Sequence, residues 1–112
     1  MSDITKLTGP ELSEAVAIEM GYETTIEDRQ HVFIIKNGEL RLFNPHENMN
    51  DVRKIWEWIF SQPEVYRWVA YYQEELRKLT GSIQAYAMYL ATPEQHCQAF
   101  LMACRRVKGE KC

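Results

Sequence analysis

Near the end of the chain, in ATPEQHCQAFLMACRR, His96 stands beside Cys97, with Cys104 seven residues on. Imidazole and thiol groups bind metals and attack carbonyls, so this is the first place to look for chemistry. The spacing argues against it. Neighbours on a helix point about 100° apart and cannot share a ligand. A helical metal pair uses positions three or four apart, not seven. Cys97, Phe100, Ala103, Cys104 and Val107 instead form an apolar stripe, and free cysteine is a common core residue. The spacing predicts buried thiols and a His96 at the surface of the helix's first turn.

The other histidines, His31 and His46, flank a hairpin and are expected to approach each other, because Phe43 pairs back towards Val32. With Glu47 or Asp51 they have the ligand types for a divalent ion. No spacing here is specific, and turn and strand-end roles account for them. No glycine loop cradles phosphate, no serine sits on a nucleophile elbow, and no carboxylates cluster. The residues therefore name no catalytic group, no metal site and no cofactor.

Binding is better represented. In VYRWVAYYQEELRK, Val65, Trp68, Val69 and Tyr72 share one helical face. Tyr66, Arg67 and Tyr71 then fall to the side or outside, and Trp58 and Phe60 fall off the stripe of the preceding helix. Exposed tyrosine, tryptophan and arginine are favoured anchors at interfaces. Trp58, Tyr66, Arg67 and Tyr71 are the candidate partner-binding residues. Arg105, Arg106 and Lys108, with Lys111, are the alternative, a short basic cluster that attracts phosphate or completes a helix end.

These residues sit in a chain of 112, the size of one domain spanning 1–112. Such a chain buries roughly 65% of its unfolded surface, enough for one core. The net charge of −3 is unevenly spread: residues 1–62 hold eleven acids and six bases, residues 63–112 five acids and seven bases. An acidic first half argues against a general nucleic-acid coat. Three cysteines, all in the last sixteen residues, are not a disulfide framework. With no signal peptide at the start and no apolar run long enough to span a bilayer, the expected setting is a reducing cytoplasm without membrane contact.

The elements follow from capping and period. LTGPELSEAVAIEMG reads as a first helix, with Thr8 and Glu11 spaced as a capping box, Pro10 in the first turn, and Gly21 as the stop. YETTIEDRQ reads as a polar connection. In HVFIIKNGELRLF, Asn37-Gly38 suits a two-residue type I′ turn. That turn sets Lys36 opposite Glu39, Ile35 opposite Leu40, Ile34 opposite Arg41, and Phe33 opposite Leu42. One face then carries Phe33, Ile35, Leu40 and Leu42 and is expected to pack on helices. Two strands are unstable alone and need helical cover, a third strand or a partner.

Asn48 or Asn50 caps the next helix, whose stripe is Val52, Ile55, Trp56 and Ile59. Residues 65–79 favour helix over strand on length and on their polar QEELRK end. SIQAYAMYLA alternates at Ile83, Ala85, Ala87 and Tyr89, so strand and helix both remain open over 82–90. The last helix has three agreeing start signals: Thr92 as cap, Pro93 at the first position, and Gln95 completing T-x-x-Q. The fold class is a small α+β domain, a hairpin with or without a third antiparallel strand, packed against three to four helices.

Three segments carry a family resemblance. FNPHENMNDVRKIWEWI is similar to a segment of small phage and prophage proteins in which an aromatic residue leads to N-D and opens a helix. ATPEQHCQAFLMA resembles their C-terminal helix, often A-T-x-x-Q-R-x-x-A-F-L, with His96 where those proteins often have arginine. LTGPELSEAVAIEMGY resembles their first helix. These proteins include the phage α-β-α sandwich domain families. The resemblance covers about two thirds of the chain, and its motifs are mainly capping and core residues. It implies a phage-encoded protein in a bacterial cell, and proteins of that origin often modulate or inhibit host factors, defence nucleases included. The expected function is thus a non-enzymatic binding protein that captures a host protein. The alternatives are a nucleic-acid accessory protein or a structural homodimer.

Overall fold

The computed structural model describes residues 7–27, 30–81 and 84–109. Its elements are α1 (Gly9–Glu19), β1 (Glu23–Glu27), β2 (His31–Lys36), β3 (Glu39–Leu42), α2 (Met49–Phe60), α3 (Val65–Thr80), α4 (Gln84–Leu90) and α5 (Pro93–Val107). The class is α+β, and a third antiparallel strand is present: the sheet runs β1-β2-β3. That strand comes from the segment read as a polar connection. The stretch left open over 82–90 is helical from Gln84 to Leu90, Ile83 lying outside the described residues. Residues 65–80 are helix, as their length predicts.

Local chemistry explains most boundaries. Thr92 and Gln95 form the reciprocal capping box of α5, each side chain bonding the other's backbone N–H at 3.1 and 2.9 Å. Asn48, not Asn50, caps α2 by accepting the Asn50 N–H at 2.9 Å. Thr8 occupies the cap position of α1 without a side-chain cap bond, so the box expected with Glu11 does not form. Asn37 and Gly38 take φ of 53° and 79°, as a type I′ turn requires, and the β2–β3 register matches the expectation at all four pairs.

The core lies between the inner face of the sheet and the helices. α5 runs through the middle of the helical layer, touching α1, α2 and α3, with α4 laid on α3. Cys97, Phe100 and Cys104 of α5, Ile55 and Ile59 of α2, Leu76 of α3, and Leu12 and Val16 of α1 are all buried. The sheet presents Val32 and Ile34 to this core, and the chain continues to a buried Phe43.

This reverses the expected facing of the sheet. Ile35, Leu40 and Leu42 are exposed, at 37%, 58% and 48%, and Phe33 is half-buried. The reason is β1. Its pairing places Ile26 opposite Val32 and Thr24 opposite Ile34, while Glu23, Thr25 and Glu27 fall opposite Ile35, Phe33 and His31. Side chains alternate across a strand, so the face that holds Ile26 is the one that can be buried without stranding two carboxylates.

The turn after β3 is fixed by polar bonds that periodicity cannot show. Asn44 Oδ1 accepts the Val32 N–H at 3.0 Å, and Asp51 Oδ2 accepts the Asn44 N–H at 2.8 Å. Together they tie the sheet to the first turn of α2. No described helix is long and apolar enough to cross a membrane.

Candidate functional site

Among the described residues, the outer face of the sheet leaves a cross-strand set of apolar side chains open. The two-residue turn aligns Phe33 with Leu42 and Ile35 with Leu40, and alternation sends all four to the same side. No described helix covers them. Glu23, Thr25 and Glu27 form a polar margin along β1. An apolar centre with a polar rim is the anatomy of a protein interface. Contiguity separates this patch from the singly exposed Ile18 and Phe60, which are ordinary surface residues.

On the inner side, beyond the edge of the core, a cleft of about 300 Å³ opens between the hairpin and α2. Lys36, Arg41, Lys54 and Glu57 stand around it, with Tyr22 and Trp58 in its walls. Arg41 pairs with Glu39 at 3.5 Å and Lys54 with Asp51 at 3.1 Å. With Glu57, these carboxylates match the three cations around the cleft in number.

Of the sequence-derived partner residues, Arg67 and Tyr71 are brought together, while Trp58 and Tyr71 are only partly open. Trp58 is half-buried in an aromatic cluster, edge-on to Trp68 at 5.1 Å and to Phe100 at 5.5 Å between centroids. Tyr71 is half-buried beneath Arg106, whose guanidinium carbon lies 4.1 Å from the ring centre. Tyr66, 90% exposed, and Arg67 stand open at the start of α3, where Arg67 pairs with Glu64 at 2.9 Å and leans towards Tyr71.

The basic C-terminal cluster is occupied by acids. Arg106 reaches Glu74 at 3.2 Å and Glu75 at 3.7 Å, and its bond holds the Glu74 carboxyl below the usual range. Lys108 pairs with Glu19. Arg105 is half-exposed beside them, and Lys111 lies outside the described residues. Phosphate binding here would compete with these carboxylates.

His96 is not at the surface. It is fully buried, stacked on Tyr72 and edge-on to Trp56. The helix's first turn faces inward because α3 and α2 pack over it through Tyr72 and Trp56, which a cap motif does not reveal. Cys97 and Cys104 are buried as expected, and burial pushes both thiols far above their ordinary value. They are core, not nucleophiles. Cys112 lies outside the described residues.

One constellation resembles a hydrolytic relay. Ser13 Oγ lies 2.6 Å from His46 Nδ1, and His46 Nε2 lies 3.7 Å from Glu47. The serine is fully buried, and its oxygen also accepts the His46 N–H at 3.0 Å. A nucleophile needs an open approach, and this one has none. The arrangement bolts the 43–48 turn to α1. His31 and His46 do line one cleft, of about 230 Å³, with Glu47. Among the described residues no group of three or more His, Cys, Asp or Glu is arranged to hold a metal ion.

Comparison of this chain with protein-family models, curated proteins and solved structures finds no match.

Proposed function

We propose that this chain is a non-enzymatic binding protein that works by covering an apolar surface of another protein. The observation that carries the reading is the outer sheet face, where Phe33, Ile35, Leu40 and Leu42 stand in two cross-strand pairs with no described cover. Exposed apolar area is favourable to bury at roughly 25 cal/mol per Å², and a rigid sheet loses little conformational entropy on docking. The acidic margin of Glu23 and Glu27 orients a partner that carries basic groups around its apolar patch. The phage origin rests on the three resembling segments. On it, the partner is a bacterial host protein, and inhibition of a defence factor is the corresponding role.

The test is capture from a bacterial lysate with three forms of the protein. The unaltered chain is expected to retain a specific host protein. Leu40→Lys/Leu42→Lys is expected to lose it with the fold intact, because both side chains are exposed. Tyr66→Ala/Arg67→Ala is expected to keep it. Capture lost in the second variant and kept in the first would move the binding surface to the start of α3.

A further inference from the structure

We propose that β3 pairs with β3 of a second copy, joining two sheets edge to edge into one of six strands. This goes beyond the binding reading, which concerns the face of the sheet. Edge pairing leaves that face open and doubles it.

β3 is an edge strand, and all four of its residues are exposed. Phe43 donates its N–H to the Val32 carbonyl at 2.8 Å, which marks 43 and 32 as a hydrogen-bonded pair. Bonded and non-bonded pairs alternate in an antiparallel ladder, so Arg41 and Glu39 also direct their backbone groups inward to β2. The N–H and C=O groups of Leu40 and Leu42 therefore point out of the sheet. They form a free edge of the kind that recruits another strand.

Side chains then choose the register. About a twofold axis normal to the sheet, residues facing each other across the new seam must lie on the same side. Every residue of β3 can stand opposite its own copy, but only two centres overlap three residues of each strand: Leu40 opposite its own copy, or Arg41 opposite its own copy. The second juxtaposes two guanidinium groups and is unfavourable. The first places Leu40 on Leu40 as a bonded pair, with Glu39 of each copy opposite Arg41 of the other. Those two charge pairs fall at non-bonded positions, where side chains approach most closely. The segment Glu39-Leu40-Arg41 is thus complementary to itself read backwards. Within one chain the same two residues are only a loose pair at 3.5 Å, with side chains 70% and 60% exposed, and little is lost in exchanging it.

The result is a continuous outer face holding Phe33, Ile35, Leu40 and Leu42 twice over. A seam this short buries less than the roughly 1,200 Å² of standard interfaces, so the dimer is weak and concentration-dependent.

Sedimentation equilibrium from about ten micromolar to one millimolar, in low salt, tests this. The unaltered chain is expected to pass from monomer to dimer across that range. Glu39→Arg sets two guanidinium groups against each other at each charge pair, and Arg41→Glu sets two carboxylates together. Each turns two attractions into repulsions and is expected to weaken the dimer about tenfold or more. The double variant E39R/R41E is expected to restore it, and so is an equimolar mixture of the two single variants, now as a heterodimer. Both positions are exposed, and unchanged melting curves confirm that the variants fold. A chain monomeric at one millimolar overturns the proposal. So does a dimer indifferent to both charge variants, which would mean sheets stacked face to face. Neither result touches lysate capture by the Leu40 and Leu42 face, so the two readings fail separately.

Discussion

Tyr72 and His96 meet inside the protein, with the tyrosine oxygen 2.5 Å from His96 Nδ1. The same oxygen accepts the Trp56 indole N–H at 2.9 Å, so one hydroxyl links α2, α3 and α5. Burial pushes the Tyr72 phenol well above its ordinary value and pulls His96 below its own, against a smaller opposing effect from the Met88 backbone. Both groups are held neutral. Tyr72 accepts from Trp56 and directs its own proton to Nδ1, which puts the imidazole proton on Nε2. That nitrogen is buried and has no properly formed hydrogen bond.

Replacing Tyr72 with phenylalanine removes the shared hydroxyl and little volume. It leaves the buried His96 Nδ1 and the partly buried Trp56 N–H without this partner, the buried one at about 1–3 kcal/mol. A loss of about 2–4 kcal/mol is expected in urea unfolding. A Tyr72/Trp56 double-mutant cycle should return a coupling well above zero.

The lowered proton affinity of His96 makes stability depend on pH. In acid the unfolded chain takes up a proton on this ring before the folded one does, so stability rises with pH. The contribution is whole above the unfolded imidazole value of about 6.5 and is lost as pH falls from there towards the folded value. Over that window the loss approaches about 1.4 kcal/mol per pH unit. Denaturant midpoints from about pH 8 to about pH 4 should show this slope in the unaltered protein, and His96→Gln should flatten it.

The two faces of the sheet should answer oppositely to truncation. Ile34, 4% exposed, packs in the core, so Ile34→Ala is expected to cost about 2–4 kcal/mol. Leu40→Ala, on the outer face, should stay within about 0.5 kcal/mol. Chemical unfolding of the two variants side by side measures which face is inside.

Buried, strongly protonated thiols do not alkylate. In a Cys112→Ser background, Cys97 and Cys104 are expected to resist iodoacetamide under native conditions and to react together on unfolding. Mass spectrometry of the labelled chain reads the outcome. Labelling of either thiol in the native state would place it outside the core.

Much of the local structure was legible in the residues. Asn37-Gly38 specified the hairpin and its register because few residues tolerate positive φ, and Thr92-Pro93 with Gln95 specified the start of α5 because orphan N–H groups need acceptors. The stripe of Val52, Ile55 and Ile59 placed the buried face of α2, and that of Cys97, Phe100 and Cys104 the buried face of α5. Glu23, Thr25 and Glu27 alternate with Thr24 and Ile26, and that pattern names the inner face.

The candidate site was not legible. An isolated hairpin has two faces, and the more apolar of them is the natural one to bury. Which face turns inward depends on the third strand and on where α1 lies against it, contacts that no single segment of the chain displays. The same holds for His96, whose cap-adjacent position says surface until α2 and α3 close over it, and for Tyr72, whose hydroxyl has meaning only beside Trp56. Short-range sterics and capping act within a few residues, so sequence alone settles which elements form. Burial is a property of the assembled layers, and the tertiary structure alone decided which apolar face was left for a partner.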